Sequence, residues 1–549
     1  MAATTTPRAP FDGRVWTFKA DEARLEKVGD EYHIHVRSAQ FGDHRYRVTR
    51  IIGGRAREDF AGVEIDPTNP SSGHGGGKEV ILPVSYFFET NSFRLKGYSV
   101  MVGERPGLTT GAVWNQTCIL CHNTAPIFPA LWSALYGQGA PAYQGETVDE
   151  RLPPDRRWRL EVTDDVAMRV AVENETRFLG AAPTLAEDPH RALSQGIRAM
   201  AGRFEGKHLL EVGIGCEACH GGSREHVQNP RIATAYEPRS PFLRVVSGPT
   251  NAPPTRAEAI NHACARCHQV LFSRYPYTWE GGKRRSDTPG GSTTNSGEAR
   301  DLLLGGCSKA LSCADCHDPH GGDNPGEMAA MGTKIGNARC VKCHSAYATD
   351  TSIREHTHHD PEGAGAACLN CHMPRKNLGL SYSLSRYHRI GSPNDPVRVE
   401  KDRPLECALC HADKTVEELV STQERWWNKR YDREALRALY RDLDAFPLQA
   451  TLVRGKPHEQ AVAILSLLDQ KVASALPQIA RQIAHPIPLV RYQARKAIDA
   501  FLGRPCGIDL DRSVPEIIAA TLACVPEAAP IPIPPAPHGE APRAVHDND

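Results

Sequence analysis

Cys313-Ala-Asp-Cys316-His317-Asp-Pro-His320, with Cys340-Val-Lys-Cys343-His344 only 22 residues beyond His317, is the stretch on which the reading of this 549-residue chain turns. Outward from it the Cys-x-x-Cys-His string recurs at Cys118, Cys121 and His122, at Cys216, Cys219 and His220, at Cys264, Cys267 and His268, at Cys368, Cys371 and His372, and at Cys407, Cys410 and His411. A rough product of residue frequencies gives about 0.02 such strings for the whole chain by chance. Seven are present, and they use fourteen of the 17 cysteines. They are called motifs 1 to 7 in chain order.

The spacing has a chemical reason. Two cysteines one turn apart form thioethers to the two vinyl groups of a porphyrin, and the next residue projects its imidazole onto the iron. Zinc knuckles and redox dithiols also use C-x-x-C. Zinc takes two knuckles per metal, so an odd number of knuckles, each followed by its own histidine, fits it badly. The sequence therefore predicts seven covalently bound haem c groups, with His122, His220, His268, His317, His344, His372 and His411 as proximal ligands.

Composition agrees with a core filled partly by porphyrin. Hydrophobic residues make up 40% and aromatics 7%, while 46 glycines and 42 prolines predict much loop, with few long regular elements between residues 101 and 414. Lys+Arg and Asp+Glu both total 65. The polypeptide is neutral, the haem propionates make the loaded protein acidic, and no nucleic-acid partner is expected. No stretch approaches the roughly 20 apolar residues needed to span a bilayer, which predicts a soluble body. Thioether attachment occurs outside the energy-conserving membrane, where disulfides also persist, so a periplasmic or extracellular location is expected. Met1-Ala-Ala-Thr-Thr-Thr-Pro-Arg-Ala-Pro10 lacks the charged start and apolar run of a signal peptide. This is read as a trimmed start or a longer precursor.

Four regions are predicted. Residues 1–100 are β-rich: Glu31–Val36 and Arg45–Ile52 alternate at period two, Gly53-Gly54 marks a turn, Pro67–Lys78 is a loop, and Glu79–Phe88 reads as a further strand. Residues 101–414 form the multihaem domain, with a helix over Pro189–Phe204 capped by Asp188. Only 22 or 23 residues separate motifs 4, 5 and 6, so their haems must be close neighbours. Residues 415–525 read as helices over Val416–Tyr431, Arg433–Tyr440, Glu459–Leu468, Ser474–Ile483 and Leu489–Leu502, with Pro486–Ile498 resembling half of a HEAT-type repeat. Residues 526–549, rich in proline and alanine, are expected to be disordered. The fold class is thus a mostly irregular and α-helical multihaem cytochrome, with a small β-rich N-terminal segment and a C-terminal α-helical repeat region.

A low-spin haem needs a second axial ligand, and 17 histidines lie outside the motifs. His226 and His320 follow motifs 2 and 4 by turns too short to reach the far face of their own haem, so each is expected to cap a neighbour. His262, His388 and the cluster His356/His358/His359, represented by His356 and His359, complete the distal candidates. His44, His74, His190 and His208 are held in reserve. His458, His485, His538 and His546 are read as surface residues, and Met373 as packing. Of the remaining cysteines, Cys307 is read as a buried or free thiol, and Cys506 and Cys524 either pair or stay free.

Trp114–Thr124, Gly213–His226, Leu311–His320 and Ala367–Pro374 resemble the corresponding strings of the cytochrome c554-like multihaem family with doubled CxxCH motifs. The resemblance spans roughly residues 40–500. It implies C-terminal HEAT-type or TPR-type repeats and, because relatives open with a further CxxCH, an eighth haem upstream of this chain. Its motif strings specify the family and not a reaction.

Two function classes stand. One is electron transfer through mostly bis-His haems between a donor and an acceptor protein, with a membrane-associated quinol-oxidising complex among the partners and the helical repeats as a docking surface. The other is a reductase or oxidase of a small nitrogen or sulfur compound at one open haem. No CxxCK replaces a CxxCH here, which favours electron transfer without a catalytic residue.

Overall fold

Alternating apolar and polar residues build the N-terminal region. The computed structural model describes residues 6–65, 77–96, 101, 103–119, 122–124, 158–200, 203, 205–220, 224–236, 240–268, 279–280, 297–379 and 382–533. Within them β1 (Asp12–Phe18), β2 (Asp21–Val28), β3 (Glu31–Ser38), β4 (Gly42–Gly53), β5 (Arg57–Glu64), β6 (Val80–Phe87) and β7 (Ser92–Leu95) form one seven-stranded antiparallel meander. Ile34 faces Leu25 on one side and Tyr46 on the other, and all three are buried. Fully burying a side chain of this size is worth about 1.5–3 kcal/mol. Gly53 turns the chain at φ 121°, where a Cβ would strike the Arg57 carbonyl. The expected sheet is present and larger than the three strands legible in the sequence.

Strand β6 is buried along its whole length because both faces are covered. Leu82 and Val84 join the core shared with the C-terminal helices. Ile81 instead meets Trp114 and Ile119 at motif 1. The sheet thus stands between the first haem attachment and the end of the chain.

The middle region holds two long helices besides the predicted one. Asp165–Phe178 is a 14-residue helix, N-capped by the Asp164 carboxylate, which accepts from Ala167 N at 3.0 Å. Arg256–His268 is a 13-residue helix that carries motif 3 at its C-terminal end. Pro189–Met200 is helical, and Asp188 accepts from Arg191 N at 2.8 Å. The first of these escaped notice because its apolar face is interrupted by Glu175 and Thr176, which are buried with Met168 and Val172.

After motif 7 the chain is helical over Val416–Trp427, Arg433–Tyr440, Pro447–Arg454, Pro457–Asp469, Leu476–Arg481, Pro488–Leu502 and Val514–Cys524. The first ends at Trp427 rather than Tyr431 because Asn428 takes a left-handed conformation, which asparagine tolerates well. Cys506 and Cys524 form a disulfide with Cα atoms 6.1 Å apart. Residues 526–533 differ from the expected disorder: Pro526–Ala528 forms a turn, and Ala528 and Ile531 are buried. Proline and alanine there fill the core instead of signalling disorder. Residues 534–549 lie outside the described residues, as does most of the Pro67–Lys78 loop.

The sheet and the C-terminal helices share one core. Tyr382 stacks on Phe87 at 5.2 Å and meets Tyr492 at 4.7 Å. Lys19 N donates to Asp511 O at 2.6 Å and Trp16 Nε1 to Asp511 Oδ2 at 3.2 Å. Arg491, buried at 2% exposure, pairs with Glu104.

Candidate metal centres

Local backbone bonds bring the residues of a motif together. The histidine N–H donates to the carbonyl of the first cysteine in motifs 1, 2, 4, 5 and 7, at 2.9–3.1 Å. Positions i, i+3 and i+4 then share one face, so both sulfurs and the imidazole address the same porphyrin.

The second cysteines of the motifs are held in two ways. Cys219 N donates to Cys216 O at 3.2 Å and closes a tight turn, and Cys316, Cys343 and Cys410 repeat this bond in motifs 4, 5 and 7 at the same length. Cys267 differs: it lies in the last turn of the 13-residue helix Arg256–His268, and Cys371 lies in the short helix Cys368–His372. At Cys267 a regular helix already provides the i, i+3, i+4 face. Cys219 and Cys267 are both half-buried, whereas Cys216, Cys343 and Cys410 are exposed. Cys121 lies outside the described residues.

The structure brings four motif imidazoles opposite four distant ones. Ring centroids lie 6.1 Å apart for His220 and His320, 6.3 Å for His317 and His388, 6.2 Å for His356 and His372, and 6.0 Å for His359 and His411. The interplanar angles are 16°, 24°, 5° and 30°. An iron held between two imidazoles needs about 6 Å between ring centres, from two bonds of about 2 Å and about 1 Å of ring on either side. The spacing is too wide for direct ring stacking and fits an intervening metal, so these residues suit haem.

Hydrogen bonding anchors the nitrogen that a metal would not take. Nδ1 of His220, His317, His372, His359 and His388 faces Ala235 O at 3.3 Å, Asp323 Oδ2 at 2.8 Å, Gly391 O at 3.0 Å, Thr357 O at 2.6 Å and Arg386 O at 2.9 Å. Nδ1–H donates to each acceptor, fixing the ring and presenting the Nε2 lone pair. Burial is the leading cause holding His220, His356, His372, His388 and His411 below the usual histidine range. A neutral imidazole is the ligating form.

Motifs 1, 3 and 5 differ. No partner imidazole faces His122 or His344 among the described residues, and His122, pushed down to about 4 by burial, keeps a buried Nδ1 without a hydrogen-bond partner. His268 lies 3.4 Å from Glu298 Oε2, whose carboxylate raises its pKa to about 9. His226 has the same Nδ1 anchorage, to Ile232 O at 2.7 Å, and pairs with no motif imidazole among the described residues. His262 lies on the motif 3 helix, two residues before Cys264. His358 stacks on Trp426 at 4.6 Å instead of facing a motif histidine.

The reserve histidines divide. Both nitrogens of His44 are engaged, by Glu64 at 2.6 Å and Phe41 O at 2.7 Å. His208 accepts from Glu205 N through Nδ1, His190 is exposed, and His74, His538 and His546 lie outside the described residues. His458 and His485 are buried, not surface residues, at 0% and 9% exposure. Trp279 lies edge-on to His458 at 4.3 Å, and His485 Nδ1 accepts from Ile487 N at 2.9 Å. The place of His458 at a helix start among polar residues concealed its burial.

Sequence reasoning also missed a buried charge cluster around motifs 6 and 7. Lys376 Nζ is 2.7 Å from Glu406 Oε1 and 3.4 Å from Asp402 Oδ2. Arg398 reaches Glu406 at 3.4 Å and Glu280 at 3.5 Å, Arg389 reaches Glu280 at 2.5 Å, and Tyr387 Oη donates to Glu280 at 3.0 Å. Glu406 immediately precedes Cys407, and its charge is felt at Cys371. Charges fixed this close tune a haem through the local field. Single charged residues scattered over more than a hundred positions left no pattern to read.

Motif turns from different parts of the chain also touch. The Cys264 and Cys313 thiols lie within hydrogen-bonding reach, as do those of Cys340 and Cys368, and Arg339 donates to Asp315 O between motifs 4 and 5. CxxCH turns that contact one another, together with four imidazole pairs at the spacing of an intervening metal, define a multihaem c-type cytochrome. Residues 308–349, which hold motifs 4 and 5, match the family profile described as Doubled CXXCH motif. No curated protein matches the chain. Among solved structures, the crystal structure of the Outer Cell Wall Cytochrome OcwA is similar over 88% of this chain and 87% of that one, at 14% identity and a TM-score of 0.29.

Proposed function

We propose that this chain relays single electrons between a donor and an acceptor protein outside the energy-conserving membrane, through seven haem c groups held mostly between two imidazoles. The observation that carries this reading is the set of four imidazole pairs spaced 6.0–6.3 Å apart. Two imidazoles per iron leave no coordination position for a small substrate, which favours electron exchange over chemistry. The bound haem supplies reversible one-electron transfer. The chain holds five of these eight imidazoles by Nδ1 and sets the local charge.

His320, His388, His356 and His359 are the distal ligands in this reading, for motifs 2, 4, 6 and 7. His226 and His262 are candidates for the remaining irons. Cys219 and Cys267 carry the second thioethers of motifs 2 and 3, as the second cysteine does in every motif. The disulfide between Cys506 and Cys524 supports an oxidising compartment, and no helix among the described residues is long and apolar enough to cross a membrane. The helices after motif 7 resemble HEAT-type units and present the docking surface for a membrane-associated partner complex.

EPR and optical spectra of the oxidised, haem-loaded protein test the proposal. Low-spin bis-His signals unchanged by nitrite, hydroxylamine or cyanide are the expected result. A stoichiometric high-spin haem that binds these molecules overturns it in favour of a reductase or oxidase.

A further inference from the structure

Motifs 3 and 4 are joined in the same way as motifs 5 and 6, by a buried asparagine three residues ahead of the first cysteine. Asn261 is 0% exposed; its Nδ2 donates to Leu311 O at 2.9 Å and Ser308 O at 3.1 Å, and its Oδ1 accepts from Cys313 N at 2.9 Å. Asn337 is 4% exposed; its Nδ2 donates to Ala366 O at 2.9 Å, and its Oδ1 accepts from Cys368 N at 2.8 Å. In both cases the carboxamide crosses to another motif and uses donor and acceptor together. Asn115 stands at the same offset before Cys118, whereas motifs 2, 4, 6 and 7 lack asparagine there.

The tie has a clear physical consequence. Cys313 and Cys368 each open a helical turn, where a backbone N–H has no partner within the turn. The asparagine satisfies that N–H from outside and holds the preceding carbonyl as well, which fixes both the position and the rotation of the second turn relative to the first. Two thioethers and a proximal histidine in turn fix each haem to its turn. The distance and tilt between two haems therefore follow from how the two turns are joined.

We infer that Asn261 and Asn337 are positioning residues that set the geometry of two equivalent haem pairs, one on motifs 3 and 4 and the other on motifs 5 and 6. This rests on the electron-relay reading and makes these pairs its units of fastest exchange. The matched Doubled CXXCH motif span covers motifs 4 and 5, so the asparagine ties draw the pair boundaries differently from that span.

Asn261→Ala and Asn337→Ala, made separately in the full haem-loaded chain, test the inference. The readouts are haem count by mass spectrometry, the exciton couplet of closely spaced haems in Soret circular dichroism, and a spectroelectrochemical titration. Each variant is expected to keep seven haems, lose part of the couplet and shift two midpoints, a different two in each case, with the others unmoved. A general loss of structure would move them all. Should an alanine variant fail to load haem, Asn337→Ser, whose hydroxyl keeps an acceptor for the Cys368 N–H, carries the same readouts. An unchanged couplet and unchanged midpoints in fully loaded variants overturn the inference. So does failure of both Asn337 variants to load, which makes the tie a requirement for attachment. Failure of the relay reading shows separately, as a high-spin haem in the unaltered protein.

Discussion

His356 and His372 face each other with ring planes 5° from parallel and centroids 6.2 Å apart. Three residues later His359 faces His411 at 6.0 Å. One short strap thus serves motifs 6 and 7 together. Trp427 Nε1 donates to His356 O at 3.0 Å, and Trp426 stacks on the intervening His358. The end of the Val416–Trp427 helix therefore holds the strap, which couples the C-terminal helices to two imidazole pairs.

His356→Ala is expected to convert one haem from low-spin to high-spin and to leave the haem of motif 7 low-spin, since His359 stays in place. EPR of the oxidised protein reads this directly. A spectrum without a new high-spin signal would remove His356 from the ligands.

Gly365 lies under the His359 ring, and a Cβ there would fall within its atoms. Gly365→Ala should push the imidazole away from His411 and shift the signal of one haem, without loss of attached haem by mass spectrometry. His359 Nδ1 is held by Thr357 O at 2.6 Å, so the ring cannot swing aside without breaking that bond.

Lys376 is 3% exposed between Glu406 and Asp402. Removing one partner of a buried ion pair strands a charge at a cost of about 3 kcal/mol or more. Lys376→Met should lower the urea midpoint of unfolding accordingly, and adding Glu406→Gln should recover part of the loss, because one stranded carboxylate is then neutral.

Asp511 joins the N-terminal sheet to the C-terminal segment, and burial, with Asp509 adding, raises its carboxyl from 3.8 to about 7. A folded-state pKa above the unfolded one means the folded chain holds a proton that the unfolded chain releases. The stabilising contribution is fully present below about pH 4 and is lost as pH rises through about 7. Asp511→Asn keeps an acceptor for Trp16 Nε1 and should flatten the fall in urea midpoint between pH 4 and 8. An identical pH profile in both proteins would refute the assignment.

Much of the fold could be read in advance where the signal is periodic. Glu31–Val36 and Arg45–Ile52 alternate because one face of the meander is buried, and both are strands. Arg433–Tyr440 appears as a helix at the expected residues. The 14-residue helix Asp165–Phe178 was hidden by buried polar residues on its core face, and His458 was misplaced because the Lys456 and Glu459 flanking it read as surface charge. The asparagine ties carried a usable signal, the same offset before motifs 3 and 5, yet a lone asparagine ahead of a motif has no meaning until its partner turn is in view.

The candidate haem-attachment sites were legible in the sequence alone, because both cysteines and the histidine of a CxxCH string lie within five consecutive residues and need only a local turn. Which imidazole stands opposite His220, His317, His372 and His411 was decided by tertiary structure. The far face of a porphyrin must be reached by another segment, and His388 meets motif 4, not the nearer motif 6, because chain separation carries no information about spatial approach. The same holds for Lys376 and Glu406: their burial depends on charges brought from distant positions, and only the packed chain supplies the partners that make a charged interior stable.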